Sequence, residues 1–281
     1  MKIPNKRNHK YHYSPLRYPG GKTFLFPFFD KLIKNKFQSA TTYIEPYAGG
    51  AGAALALLYL EKVDSVIIND LDKAIYSFWK SAICDTRQFI KKIYSTPITI
   101  REWKNQRLIY QNRRSKRFDL GFAVFFLNRT NVSGIIDGGV IGGIDQKGKW
   151  KIDARFNKDN LAKRIEQLSE YRNRIEISQK DGIQLIKDYL DKKDVLIYLD
   201  PPYYEKGSCL YLNHYRHTDH ELLASLLNEH SDSNWVLTYD NNRIIRELYA
   251  NRKLRNYSLF YNTYKSRKGK EVLILSDTLA N

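Results

Sequence analysis

Three short stretches of this 281-residue chain carry residues whose types and spacing could do chemistry. Asp200-Pro201-Pro202-Tyr203 follows the apolar run 195–199. Two prolines fix the backbone and remove two N–H donors, which leaves carbonyls facing outward as acceptors. Asp200 adds a carboxylate and Tyr203 an aromatic face. That set suits a planar ring bearing an exocyclic amine, although in isolation it also reads as a strand-ending turn. The second stretch is Glu45-Pro46-Tyr47-Ala48-Gly49-Gly50-Ala51-Gly52. Its glycines let a ligand approach the backbone, and the helix that follows favours a negative group at its N-terminus. An ordinary glycine turn would look the same. No Gly-Lys-Ser/Thr follows, so this is not a Walker A loop. The third is Asp70, 18 residues after Gly52. An acidic residue at about that distance holds ribose hydroxyls in dinucleotide folds, and a helix N-terminal charge beside Asp72 is the plainer reading.

These stretches fall where predicted strands end. The runs 42–47, 64–68, 175–178, 195–199 and 235–239 are short and apolar, and helical patterns follow at 53–61, 72–83, 181–190, 218–229 and 242–250. Thr218 with Glu221 gives the helix 218–229 a capping box. Residues 23–37 read as an aromatic-rich helix, and 255–264 with 271–275 as a terminal hairpin. Repeated strand–helix units predict an α/β fold with a mostly parallel sheet. Ligands in such sheets bind at the carboxyl ends of the strands. The rhythm breaks at 86–172. This region has helical spacing over 86–117, an apolar helix at 118–127, a Gly/Asn-rich loop or hairpin at 128–150, and an amphipathic helix at 159–174. The chain therefore divides into a discontinuous α/β domain, 1–85 and 173–281, around an inserted basic module, 86–172.

Charge points to the partner. The chain carries 47 Lys+Arg against 30 Asp+Glu, a net +17, which predicts a polyanion. Residues 87–174 hold 20 basic and 8 acidic side chains, a net +12, so the excess is local rather than a property of the whole composition. With 42% hydrophobic and 14% aromatic residues the chain is not disordered. Two cysteines, Cys84 and Cys209, exclude a disulfide framework and a cysteine-ligated zinc site. Neither follows a proline, so a cytosine C5 mechanism is not expected. Residues 1–13 are polar and basic, no apolar run reaches membrane-span length, and a cytoplasmic location is expected.

At this point the sequence resembles a family. Asp200-Pro201-Pro202-Tyr203 resembles the DPPY motif of amino-group DNA methyltransferases, and the Glu45 to Gly52 stretch resembles their S-adenosylmethionine loop. Arg17-Tyr18-Pro19-Gly20-Gly21-Lys22 resembles the N-terminal motif of the Dam-like DNA adenine methylases, and Phe125-Phe126-Leu127-Asn128-Arg129-Thr130 matches a further segment of that family. The motifs stand in the alpha-group order across residues 14–276. The resemblance implies a Rossmann-like S-adenosylmethionine-dependent methyltransferase sheet, mostly parallel with a terminal antiparallel hairpin, and an inserted, mainly helical DNA-recognition module. It implies methyl transfer from S-adenosylmethionine to N6 of a flipped adenine, with no metal, because the sulfonium already makes the methyl group electrophilic. Base flipping would be followed by stacking on Tyr203.

Carried over by position, Tyr18, Gly20 and Lys22 would line the cofactor and target pocket. Glu45, Tyr47, Gly49, Gly50 and Gly52 would approach the methionine part of the cofactor. Asp70 would hold the ribose, and Asp181 would read the cofactor's adenine amine while also capping a helix. Asp200, Pro201, Pro202 and Tyr203 would hold the target adenine, with Asp200 bordering the cofactor as well. DNA contacts would come from Arg17, Arg113, Arg114, Lys116, Asn128, Arg129, Thr130, Asn131, Ser133 and Asp137. The implied partner is double-stranded DNA, met by a monomer, in a restriction–modification pair with an endonuclease or in a phage. The chain departs from its relatives at Val132-Ser133 and Asp137, where they carry an aromatic-Asn pair and then an arginine. A carboxylate cannot reproduce arginine's bidentate reading of guanine, so GATC is not the expected target. The residues alone also leave open an RNA or protein amino-group methyltransferase, and a catalytically silent nucleic-acid-binding protein on the same fold. A dinucleotide oxidoreductase would leave the Asp-Pro-Pro-Tyr element unexplained.

Overall fold

The structure, a computed structural model, describes residues 13–18, 20–37, 41–112, 114–204, 215–261 and 267–280. Its centre is a seven-stranded sheet: β1 Thr42–Glu45, β2 Ser65–Asn69, β3 Ile175–Ser178, β4 Val195–Leu199, β5 Trp235–Asp240, β6 Lys253–Tyr261 and β7 Arg267–Leu275. Their spatial order is β3-β2-β1-β4-β5-β7-β6. The first five are parallel to their neighbours, and β7 runs antiparallel to both β5 and β6. This is the expected mostly parallel, Rossmann-like sheet with an antiparallel hairpin at one edge. All five residues of β4 are buried, as a strand covered on both faces requires. Side chains alternate between two apolar layers with the strand period of two. Tyr43, Val66, Leu196, Tyr198 and Val236 enter one layer, and Ile44, Ile67, Ile197, Leu199 and Leu237 the other.

The first layer is made by α1 Phe26–Lys36, α2 Gly52–Tyr59 and α3 Lys73–Cys84. The second is made by α8 Gly182–Lys187, α9 His217–Glu229 and α10 Arg243–Leu248. Between α3 and β3 the chain adds α4 Thr86–Ser95, α5 Ile100–Gln111, α6 Arg117–Thr130 and α7 Lys158–Glu170. These inserted helices do not build a separate core. Every residue of α6 from Leu120 to Thr130 is buried, and Phe125 stacks on Phe78 of α3 with ring centroids 6.0 Å apart. Phe89, Phe122, Phe126 and Phe156 extend the same aromatic cluster. The helices α3 and α6 meet at Gly121, where a Cβ would lie 2.4 Å from the Ser77 carbonyl oxygen.

Several predicted elements shift on inspection. The helix expected over 23–37 begins as a 3₁₀ turn, Thr23–Leu25, before α1. The cap expected from Thr218 and Glu221 belongs instead to Asp219, which accepts the Arg216 N–H at 2.7 Å, so α9 starts one residue earlier. The loop expected from residue 128 begins after Thr130, because Asn128 to Thr130 complete α6, and only one bridge, Asn131 to Val140, gives it hairpin character. No helix among the described residues is long and apolar enough to cross a membrane.

Gly121→Ala should lower the unfolding free energy by about 1–3 kcal/mol through overpacking, read from the urea midpoint. Gly139→Ala, with no atom within 4 Å of its Cβ, serves as the near-neutral control.

Candidate active site at the carboxyl ends of β1 and β4

β1 and β4 are neighbours in space although 149 residues separate their ends in sequence. The glycine stretch leaves the carboxyl end of β1, and Asp200 to Tyr203 leave that of β4. The chain runs outward in opposite directions from this pair, the switch point at which open α/β sheets bind ligands.

Lys22 stands at the centre. Its residue is 6% exposed, and its Nζ donates to both carboxylate oxygens of Asp200, at 2.9 Å to Oδ1 and 2.7 Å to Oδ2. It also donates to the Tyr203 hydroxyl at 2.8 Å and the Gly20 carbonyl at 3.1 Å. From β5, the Thr238 hydroxyl donates to Asp200 Oδ1 at 2.8 Å and meets the Tyr198 hydroxyl at 2.8 Å. From β7, Glu271 Oε2 lies 3.8 Å from Lys22 Nζ and accepts the Tyr257 hydroxyl. Burial pushes the Asp200 carboxyl up, Lys22 works against that rise, and Glu271 adds to it. Behind Tyr203, Tyr239 meets the buried His220 Nδ1 at 2.8 Å, and burial holds that imidazole down at about 4. Pro201 and Pro202 are buried beside them.

The glycine stretch is clamped from several sides. Asp70 Oδ2 accepts the Gly49 N–H at 2.9 Å, its Oδ1 accepts the Asp72 N–H at 3.0 Å, and Trp79 Nε1 donates to the Gly49 carbonyl at 2.9 Å. Glu45 accepts the Ala54 N–H at 2.9 Å inside the first turns of α2, and its burial pushes its carboxyl up to about 8. Burial, with Asp72 nearby, pushes Asp70 up to about 7. Asn69 ties three strand ends together, donating to the Pro46 and Lys180 carbonyls at 2.8 and 3.0 Å. The glycines are needed first by the protein itself. A Cβ on Gly49 or Gly50 would lie 2.6 or 2.7 Å from the Tyr18 side chain, and one on Gly52 would lie 2.2 Å from Thr23 Oγ1. Tyr47 packs on Gly182 and meets the Tyr215 hydroxyl at 2.5 Å. Asp181 is exposed and caps α8 through the Gln184 N–H at 3.1 Å.

The residues expected to face DNA divide into two groups. Asn128, Arg129, Thr130 and Asn131 are buried, and their polar groups are taken up inside the protein, which corrects their expected role as contacts. Asn128 accepts the Arg17 N–H at 2.7 Å and donates to the Arg17 and Gly134 carbonyls at 2.8 Å. Arg129 donates through Nε to the Pro15 carbonyl at 2.7 Å, and burial holds its guanidinium down at about 9. Thr130 donates to the Phe126 carbonyl, and Asn131 accepts Trp103 Nε1 at 2.6 Å while donating to the Ile135 and Ile136 carbonyls. By contrast Arg114, Lys116 and Asp137 are exposed, and Ser133 is half-buried at a left-handed φ of 58°. Tyr110 donates to Asp137 at 3.2 Å. Arg113 lies outside the described residues. Arg17 and Ser133 line a groove with Val132, Lys149, Trp150 and Arg155, and Trp150 is 62% exposed.

Thr238 and Glu271 escaped the sequence reading. Thr238 looks like any β-strand threonine. Glu271 did carry a signal, since a carboxylate opening the apolar run 271–275 must be buried with a partner.

A family model for the D12 class N6 adenine-specific DNA methyltransferases matches residues 18–264, and the chain belongs to that family. It is an adenine-specific DNA methyltransferase. No curated protein matches its sequence. Among solved structures, it is similar to the rRNA methyltransferase aviRa from Streptomyces viridochromogenes, with 12% identity, 93% of this chain and 88% of that chain covered, and a TM-score of 0.37.

Glu45 and Asp70 keep protons in the folded state that the unfolded chain releases near the ordinary carboxylate pKa. Their stabilisation is therefore complete below that value and is lost as pH rises through about 7 and 8. Unfolding free energy should fall as pH rises from the ordinary carboxylate range through about 7 and 8 and level off above, and the fall is read most cleanly between about pH 7 and 8, above the window in which His220 acts. Glu45→Gln, which keeps an acceptor for the Ala54 N–H, should flatten that fall. An unchanged slope would contradict a protonated, buried Glu45.

Proposed function

We propose that the enzyme transfers a methyl group from S-adenosylmethionine to N6 of an adenine flipped out of duplex DNA, at the site formed by Lys22, Asp200, Pro201 and Tyr203. The observation that carries this reading is the convergence of Lys22, from the N-terminal motif, on Asp200 and Tyr203 within 2.7–2.9 Å, beside the glycine stretch of β1.

The donor set fits the cofactor. Each Asp70 oxygen accepts one backbone N–H, from Gly49 or Asp72, and a carboxylate oxygen has a second acceptor position for a ribose hydroxyl. Asp181, exposed after the neighbouring strand end, would accept from the cofactor's adenine amine. When bound, S-adenosylmethionine supplies a methyl group on a sulfonium sulfur, which keeps the bonding pair as the methyl leaves. Asp200 Oδ1 takes both Lys22 and Thr238, whereas Oδ2 takes Lys22 and keeps an acceptor position. That position and the Pro201 carbonyl accept the two N6 hydrogens, which favours a lone pair on nitrogen and stabilises the positive charge that develops there. The raised Asp200 carboxyl is a fit acceptor for the proton that N6 must lose. Tyr203, its hydroxyl held by Lys22, offers its ring to the base. Arg17, Arg114, Lys116, Lys149 and Arg155 supply charge toward phosphates, and duplex affinity should fall steeply with salt.

The test incubates the chain with unmethylated genomic DNA, labelled S-adenosylmethionine and a competing pool of structured RNA. Nucleosides are then identified by mass spectrometry. Wild type should yield N6-methyladenine in DNA, and Asp200→Asn at least about a hundredfold less. Label in RNA alone, or full activity in Asp200→Asn, would overturn the reading.

A further inference from the structure

We propose that Glu271 is a positioning residue for methyl transfer: it anchors the Lys22 ammonium and offsets its charge, so that Asp200 keeps its pull on the target amine. This rests on the reading of Asp200 as the acceptor for N6.

The argument starts from a conflict. A buried carboxylate needs a cation beside it, and Lys22 supplies one at 2.7 Å. The same ammonium opposes the reaction, because N6 becomes positive as it takes the methyl group and would do so near a fixed positive charge. A second carboxylate beside the ammonium resolves this. Glu271 Oε2 is 3.8 Å from Lys22 Nζ, inside ion-pair range but beyond a direct hydrogen bond. It therefore acts on Lys22 by charge while the ammonium's hydrogen bonds to Gly20, Asp200 and Tyr203 persist. Glu271 is 1% exposed, so little solvent screens the interaction. It is also fixed in place. It sits in β7 opposite Asp240 of β5 and Tyr257 of β6, and the Tyr257 hydroxyl donates to it. The antiparallel hairpin at the sheet edge thus reaches the reaction through one side chain.

The full-length enzyme is assayed on unmethylated genomic DNA, with S-adenosylmethionine affinity measured separately by calorimetry. Glu271→Gln keeps the shape and an acceptor for Tyr257. It should lower kcat about tenfold or more, while cofactor affinity and the KM for DNA stay within about twofold. Glu271→Asp should recover part of the loss. Coupling to Lys22 is read from unfolding equilibria, which do not require activity. Glu271→Gln combined with Lys22→Met should be less destabilised than the two single changes added, by at least about tenfold in the equilibrium constant. Wild-type kcat in Glu271→Gln, a loss of cofactor affinity equal to the loss of kcat, or additive unfolding effects would each overturn the proposal. If Asp200→Asn keeps full activity, the underlying reading of Asp200 fails. If Asp200→Asn is inactive and Glu271→Gln is unaffected, only the role of Glu271 fails.

Discussion

One buried ammonium joins parts of the chain that are 178 residues apart. Lys22 and Asp200 could not be buried singly, because an unpaired charge in a low-dielectric interior costs several kcal/mol. Together they form an ion pair in which Gly20 and Tyr203 also accept from Lys22 and Thr238 also donates to Asp200 Oδ1. The pair therefore does more than neutralise charge. It fixes the N-terminal segment on the carboxyl edge of the sheet, and it orients the carboxylate that faces the reacting amine in the proposed mechanism.

A second set of contacts grips the same segment from the other side. Arg129 holds the Pro15 carbonyl, and Asn128 holds both backbone polar groups of Arg17. These side chains leave the end of α6, which is itself packed on α3 through Gly121. Residues 15–18 are thus held by the inserted helices, and residues 20–22 by the end of β4. Tyr18 lies on Gly49 and Gly50.

The strands and most helices were legible because both core layers impose a period of two on the sheet, as Tyr43 and Ile44 or Ile197 and Tyr198 illustrate. Asp200, Tyr203 and the glycine stretch were legible because they fall together at predicted strand ends and in a family's motif order, although each alone reads as an ordinary turn. The roles within the site were less so. Gly49, Gly50 and Gly52 read as room for a ligand, yet Tyr18 and Thr23, distant in sequence, already require that room. Asn128 to Asn131 read as polar groups at a loop, yet the helix runs on and turns them inward. Glu271 signals only that it is buried with a partner, and which partner that is, like the role of Thr238, becomes visible once β5 lies beside β4 and β7 beside β5, long-range pairings that no local pattern encodes.

The most direct test of the buried pair is a comparison of unfolding free energies for Lys22→Met, Asp200→Asn and the double variant. Removing one partner strands the other charge and should cost about 3–5 kcal/mol. Removing both should restore a large part of that loss, making the double variant more stable than Lys22→Met alone. A double variant destabilised by the full sum of the two single changes would contradict the pair as the interaction on which the site depends.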